Sequence, residues 1–354
     1  MTRSNKYSIE IAFEKGNSFN SVQLQSSYIG SRNFKDDIEI SPTLIKITAF
    51  RSSKINLEDI FYNHTSSMYI QILKTLIYFY LNSNKFVLIN NISIQRYRDN
   101  KKFDSKEIKS SELTQVLTSE FKILQSKINK QKLTKLFDND EKGEVILIAS
   151  SYLAKASSIP DEIETFERLW KAFNRIYKFI GNNQNETNCH ITLRTFILKN
   201  ISKFNLSINK VKMLTSTEIR NKLRWRALIL NDYESPSKTK AFHDFVLRYS
   251  DKRIMEVIKE ILPYRKDNLI SENLYNKVET HVNSNIQQNH IKDEELVALL
   301  CIKYMYFVRN KLMHGEKLDS TFRLLPNKEI KELNWLNEIL ESLIIDLINC
   351  NDSF

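Results

Sequence analysis

Apolar and polar residues alternate over Tyr7–Phe13, Ser21–Tyr28, Leu44–Phe50 and Phe86–Arg96, the period of half-buried strands. Between them Ser66–Leu81 carries apolar residues at helical spacing. These segments predict a small N-terminal α/β domain over residues 1–110, built on a mainly antiparallel sheet. Residues 99–112 are polar and read as a linker. From Glu112 onward the period is helical, and the expected helices cover 112–128, 131–137, 141–156, 161–180, 187–201, 215–231, 237–249, 251–262, 271–288, 293–314 and 327–349. Pro160, Pro236, Pro263 and Pro326 stand near starts or stops, where proline is tolerated. The clearest stripe is Phe166, Leu169, Trp170, Phe173, Ile176, Tyr177 and Ile180. The last helix carries a broader one, through Leu333, Trp335, Leu336, Ile339, Leu340, Leu343, Ile344, Leu347 and Ile348, with Trp335 expected in the core. The fold class is therefore mostly α, α+β overall, with a helical domain at 111–354 following the α/β domain.

Composition agrees. Only five glycines and five prolines occur in 354 residues, well under average usage of about 7% and 5%, so tight turns are few. Three widely spaced cysteines, Cys189, Cys301 and Cys350, fit neither a disulfide framework nor a zinc site. With no apolar leader at Met1–Tyr7 and no long apolar window, a cytoplasmic protein without a membrane segment is expected.

Candidate chemistry gathers where an apolar helix runs out, at Phe307-Val308-Arg309-Asn310-Lys311-Leu312-Met313-His314-Gly315. Gly315 suits a C-terminal cap, which places His314 in a last turn whose carbonyls favour an imidazolium. On an ideal helix Asn310 and His314 share a face, whereas Arg309 and His314 do not. A guanidinium can clamp a phosphate while an imidazole moves a proton to or from a ribose hydroxyl. That chemistry calls for no metal or other cofactor. On residue chemistry alone two readings stay open: a phosphate site, or a pair that caps and solvates a helix end.

Residues 163–180 and the motif Arg309-Asn310-Lys311-Leu312-Met313-His314 resemble HEPN-domain ribonucleases, whose motif is an arginine, four to six residues and a histidine, with a polar residue after the arginine. The resemblance covers about 145–186 and 290–350. It implies a helical bundle, a homodimer with a composite active site, and metal-independent cleavage of RNA by 2′-hydroxyl transesterification. Arg309 and His314 would be catalytic, and Asn310 would position the site or the phosphate. It also implies a toxin or antiphage abortive-infection setting, with restraint by the N-terminal domain, a regulatory protein or a phage-derived trigger. The tyrosine found two residues after the histidine in one subgroup is absent, since Glu316 stands there. The alternative from another class is a catalytically silent HEPN-like module that binds nucleic acid, a nucleotide or a partner protein.

Charge bears on where RNA would bind. The net +11 is uneven: residues 1–140 carry +7, 187–265 hold 16 basic and 7 acidic side chains for net +9, and the segments resembling the family are slightly acidic, −1 over 141–186 and −4 over 266–354. The region about 187–265 therefore reads as a basic helical insertion that supplies the attraction for phosphate. Within it Arg220, Lys222, Arg224 and Arg226 surround Trp225, with Arg220 and Arg224 expected one helical turn apart. These four and Lys311 are the candidate RNA contacts, against the reading of a solvated helix with one buried tryptophan. The basic balance by itself would equally suit a helical DNA-binding protein. His64, His190, His243, His281 and His290 show no ligand spacing and are assigned no role. Glu294 and Glu295 read as first-turn residues suited to the helix dipole.

Overall fold

A computed structural model describes residues 5–28, 34–114, 117, 127–230, 235–313, 324–325 and 327–354. Most of the helix expected at 112–128 lies outside them. The described chain is mostly helical with one six-stranded sheet, the α+β class read from the sequence. It forms two compact units, one of residues 1–179 with 347–354 and one of residues 180–346.

In the first unit the strands are β1 (Asn5–Phe13), β2 (Val22–Ser27), β3 (Lys35–Ile40), β4 (Leu44–Arg51), β5 (Ile89–Arg98) and β6 (Lys101–Lys109). They lie in the order β2-β3-β4-β1-β5-β6, every pair antiparallel. Alternation places Ile9 opposite Ile47 and Ile94, and Ile11 opposite Ile45 and Ile92, on one fully buried face. Helix α1 (Ser67–Asn82) packs there, its Phe79 ring stacked on Phe13 at 3.7 Å. The segment expected as a linker is in fact β6. Asp99 and Asn100, at φ 50° and 61°, make the two-residue turn that joins it to β5, a conformation Asp and Asn tolerate.

The division expected near residue 110 does not separate the sheet from the helices beyond it. Ser26 Oγ donates to the Phe137 carbonyl at 2.8 Å, and Lys74 Nζ of α1 reaches the same oxygen at 3.1 Å. Helices α2 (Lys130–Leu133), α3 (Glu141–Ala156) and α4 (Glu162–Gly181) come next, and the expected α4 stripe is buried from Phe166 to Tyr177. Chain end and sheet unit meet where Asn351 Nδ2 donates to the Lys132 carbonyl at 2.7 Å.

The second unit holds α5 (Glu186–Lys199), α6 (Asn205–Val211), α7 (Ser216–Lys222), α8 (Trp225–Ile229), α9 (Pro236–Val246), α10 (Lys252–Ile261), α11 (Lys266–Ser271), α12 (Tyr275–Gln288), α13 (Asp293–Ala298), α14 (Met305–Met313) and most of α15 (Lys328–Asn349). Three expectations change here. The single helix at 215–231 is two, broken at Leu223-Arg224, so Arg220 and Arg224 do not share a helix. The helix expected at 293–314 is interrupted by a π-helical stretch, Leu299–Tyr304, between α13 and α14. Trp335 is half-buried rather than core, with the Lys222 amine 5.4 Å from its ring centroid. Glu294 and Glu295 lie in the first turn of α13 as expected, and Glu295 accepts from the Ser250 and Asp251 backbone N–H groups at 2.6 and 3.0 Å.

Candidate functional site

Leu296 to Met305 are buried except Lys303, and Phe307 and Val308 continue the buried run into α14. Where the apolar residues end, Arg309, Asn310, Lys311 and Leu312 come to half-burial. Arg309 Nη1 donates to Asn310 Oδ1 at 2.9 Å, while Arg309 Nε is buried with no acceptor among the described residues. A buried guanidinium donor without a partner is costly unless something supplies an acceptor, and a phosphate oxygen is one. His314 and Gly315 lie outside the described residues.

The structure adds three side chains the sequence did not single out. Tyr306, one turn before Asn310, donates to Glu186 Oε2 at 3.1 Å, and its ring meets that of His190 edge-on at 5.2 Å. Burial raises the Tyr306 hydroxyl above its ordinary pKa, opposed by a hydrogen bond from Asn310; Glu186 raises it further and Arg309 opposes. Burial lowers the His190 imidazole below the usual histidine value, with Glu186 opposing and Lys303 assisting. Glu186 and His190 are one turn apart on α5, which the Asn185 side chain caps through the Thr187 N–H at 2.9 Å. Their i, i+4 spacing was legible, but not their meeting with a tyrosine 120 residues away from Glu186. The group thus unites a guanidinium, an amide, a phenol, a carboxylate and an imidazole, enough to bind an anion and move a proton beside it.

The basic segment is organised differently from expectation. Arg224 is a structural cation: its Nε lies 2.7 Å from Glu332 Oε2 and its Nη1 3.5 Å from Glu329 Oε1. Tyr304 ties this pair to the π-helical stretch, donating to Glu332 and accepting from the Arg224 backbone N–H at 2.7 Å. Because that N–H bonds to Tyr304 rather than to the carbonyl four residues back, the helix breaks here. Arg220 pairs with Glu260, and Arg226 lies 4.5 Å over the Tyr264 ring. Arg220, Lys222 and Arg226 are exposed. With Lys328, Arg220, Arg224 and Arg226 line a groove of about 630 Å³.

No described helix is long and apolar enough to cross a membrane. No protein-family profile matches the sequence, and neither curated proteins nor solved structures yield a match.

Proposed function

We propose that this chain is a metal-independent endoribonuclease of the HEPN type. What supports the reading is the convergence, at the end of a buried helix, of Arg309 and Asn310 with Tyr306, Glu186 and His190. In the proposed reaction a ribose 2′-oxygen attacks the adjacent phosphorus and the bond to the 5′-oxygen breaks. The 2′-proton passes to a base and the 5′-oxygen takes one up, leaving a 2′,3′-cyclic phosphate and a 5′-hydroxyl. Arg309 would bear the charge gathering on the phosphoryl oxygens, Asn310 would fix its guanidinium, and His314 would carry the proton. Lys311 would add a phosphate contact. Two protomers would place two motifs about one phosphate, so the active form would be a homodimer. An effector of this kind, toxin or antiphage, would be restrained until triggered, by a regulatory protein or a phage-derived signal.

Cleavage of a labelled RNA in EDTA tests the assignment, with wild type set beside Arg309→Ala and His314→Ala, each shown to be folded. Cutting by wild type and its loss in both variants is the expected result. Undiminished cutting by either variant removes that residue from the mechanism. RNA binding without cutting by wild type would overturn the nuclease reading in favour of a silent HEPN-like binding module.

A further inference from the structure

The groove bordered by α7, α8 and α10 is built in two tiers. Its floor, Leu223, Trp225, Val257 and Ile261, is buried. Its rim carries the exposed cations Arg220, Arg226 and Lys328 against a single carboxylate, Glu260. Arg224 faces two carboxylates, Glu332 and Glu329, so this trio takes away one positive charge from the rim and leaves the exposed cations to supply the attraction. Two large apolar side chains stand out at the edge, Tyr264 at 48% exposure and Leu230 at 43%. In the floor Trp225 is only 4% exposed, yet its indole Nε1–H has no acceptor among the described residues.

We propose that this groove binds a single-stranded segment of nucleic acid, RNA on the reading above, with a base stacked at Tyr264 and flanking phosphates on Arg220, Arg226 and Lys328. The polymer's identity rests on that reading; the binding mode does not. An exposed aromatic ring with a guanidinium over it is a stacking platform for any base, and only an unpaired base presents a free face to it. The apolar floor excludes water from the side of the base that faces it. A duplex, its bases already stacked on one another, could use the rim but not the ring.

The test uses the full chain and a labelled 2′-O-methyl oligoribonucleotide of about 12 residues, which binds but has no 2′-hydroxyl to be consumed. Its affinity is compared with that of the same strand in a duplex, over a series of salt concentrations. The expected result is single-strand binding that Tyr264→Leu weakens on the order of tenfold with the salt slope unchanged. Arg226→Gln should lower that slope by about 0.7, and Lys240→Gln, outside the groove, should change little. Equal affinity for the duplex, or full affinity in Tyr264→Leu, overturns the proposal. Failure of cleavage with the groove result intact would sink the nuclease and leave the groove standing. Cleavage with no effect of Tyr264→Leu would do the reverse.

Discussion

Removing the hydroxyl of Tyr304 tests how the motif helix is anchored. Tyr304 is fully buried, and its one oxygen serves two partners: it donates to Glu332, itself 2% exposed, and accepts the Arg224 backbone N–H at 2.7 Å. Tyr304→Phe keeps the ring, which packs on Trp225 and Phe307, and deletes only that oxygen. A hydrogen bond to an ionised partner contributes about 1.5–3 kcal/mol, and an N–H left unmatched in a partly buried place costs about 1–3 kcal/mol. Recovery of the hydroxyl's own desolvation offsets part of this, so a loss of about 3 kcal/mol is expected. Tyr306→Phe is the comparison. Its hydroxyl is half-buried and loses one 3.1 Å bond to Glu186, for about 1 kcal/mol or less. Urea unfolding of both variants, read by far-UV dichroism, gives the two numbers. A Tyr304→Phe loss below about 1 kcal/mol, or one no larger than that of Tyr306→Phe, would refute the claim that this oxygen ties the Arg224–Glu332 pair to the π-helical stretch. A double-mutant cycle with Glu332→Gln should return a coupling of at least about 1 kcal/mol.

Two buried ionisable groups should give the stability a pH dependence of known sign. Burial lowers the Lys74 amine to about 8, with Asp138, Asp36 and Asp140 opposing, so between pH 8 and 10.5 the unfolded chain holds a proton the native one has shed, and stability rises with pH. Lys74→Met lacks this term, so wild type should gain up to about 3 kcal/mol relative to Lys74→Met between pH 7 and 10.5; an unchanged difference in urea unfolding at the two pH values contradicts the assignment. Burial raises Asp346 to about 6 despite the Ser207 N–H and hydroxyl bonds at 2.8 Å and one from Leu206. Between pH 4 and 6 the native chain therefore holds a proton the unfolded one has released, and stability falls as pH rises through that window. Relative to Asp346→Asn, wild type should gain up to about 3 kcal/mol on acidification from pH 7 to 4; parallel pH profiles would remove Asp346 as the cause.

What the sequence disclosed reflects what burial demands. β1, β4, α1, α3 and α15 announce themselves because one face of each must be apolar, and the period survives in the letters. β3 and β6 do not: Lys35-Asp36-Asp37-Ile38-Glu39-Ile40 buries Asp36 in an ion pair with Arg51, and β6 is an edge strand with only Ile108 buried. Their pairing is dictated by neighbours, which no local pattern records. The break at Arg224 is equally silent, since arginine favours helix and the competitor for its N–H is a tyrosine 80 residues away. At the candidate site Arg309 and Asn310 were legible as polar residues ending an apolar run. Glu186, His190 and Tyr306 were not, because their meeting depends on how α5 and α14 lie against each other.

The π-helical stretch Leu299–Tyr304 also says something about how this chain can change length. A π turn takes up an extra residue where an α turn would not. Deleting one of Leu299–Lys303 would therefore let an uninterrupted α-helix run from α13 to α14, with Tyr306 still facing Glu186 and His190 and Arg309 and Asn310 in register beyond it. The same deletion between Tyr306 and Arg309 would swing everything beyond it by about 100° and carry the arginine and asparagine away from Tyr306. Within this rod the π stretch is thus the place where one residue can be lost at little cost to the site, and the register of α14 beyond it is the quantity under constraint.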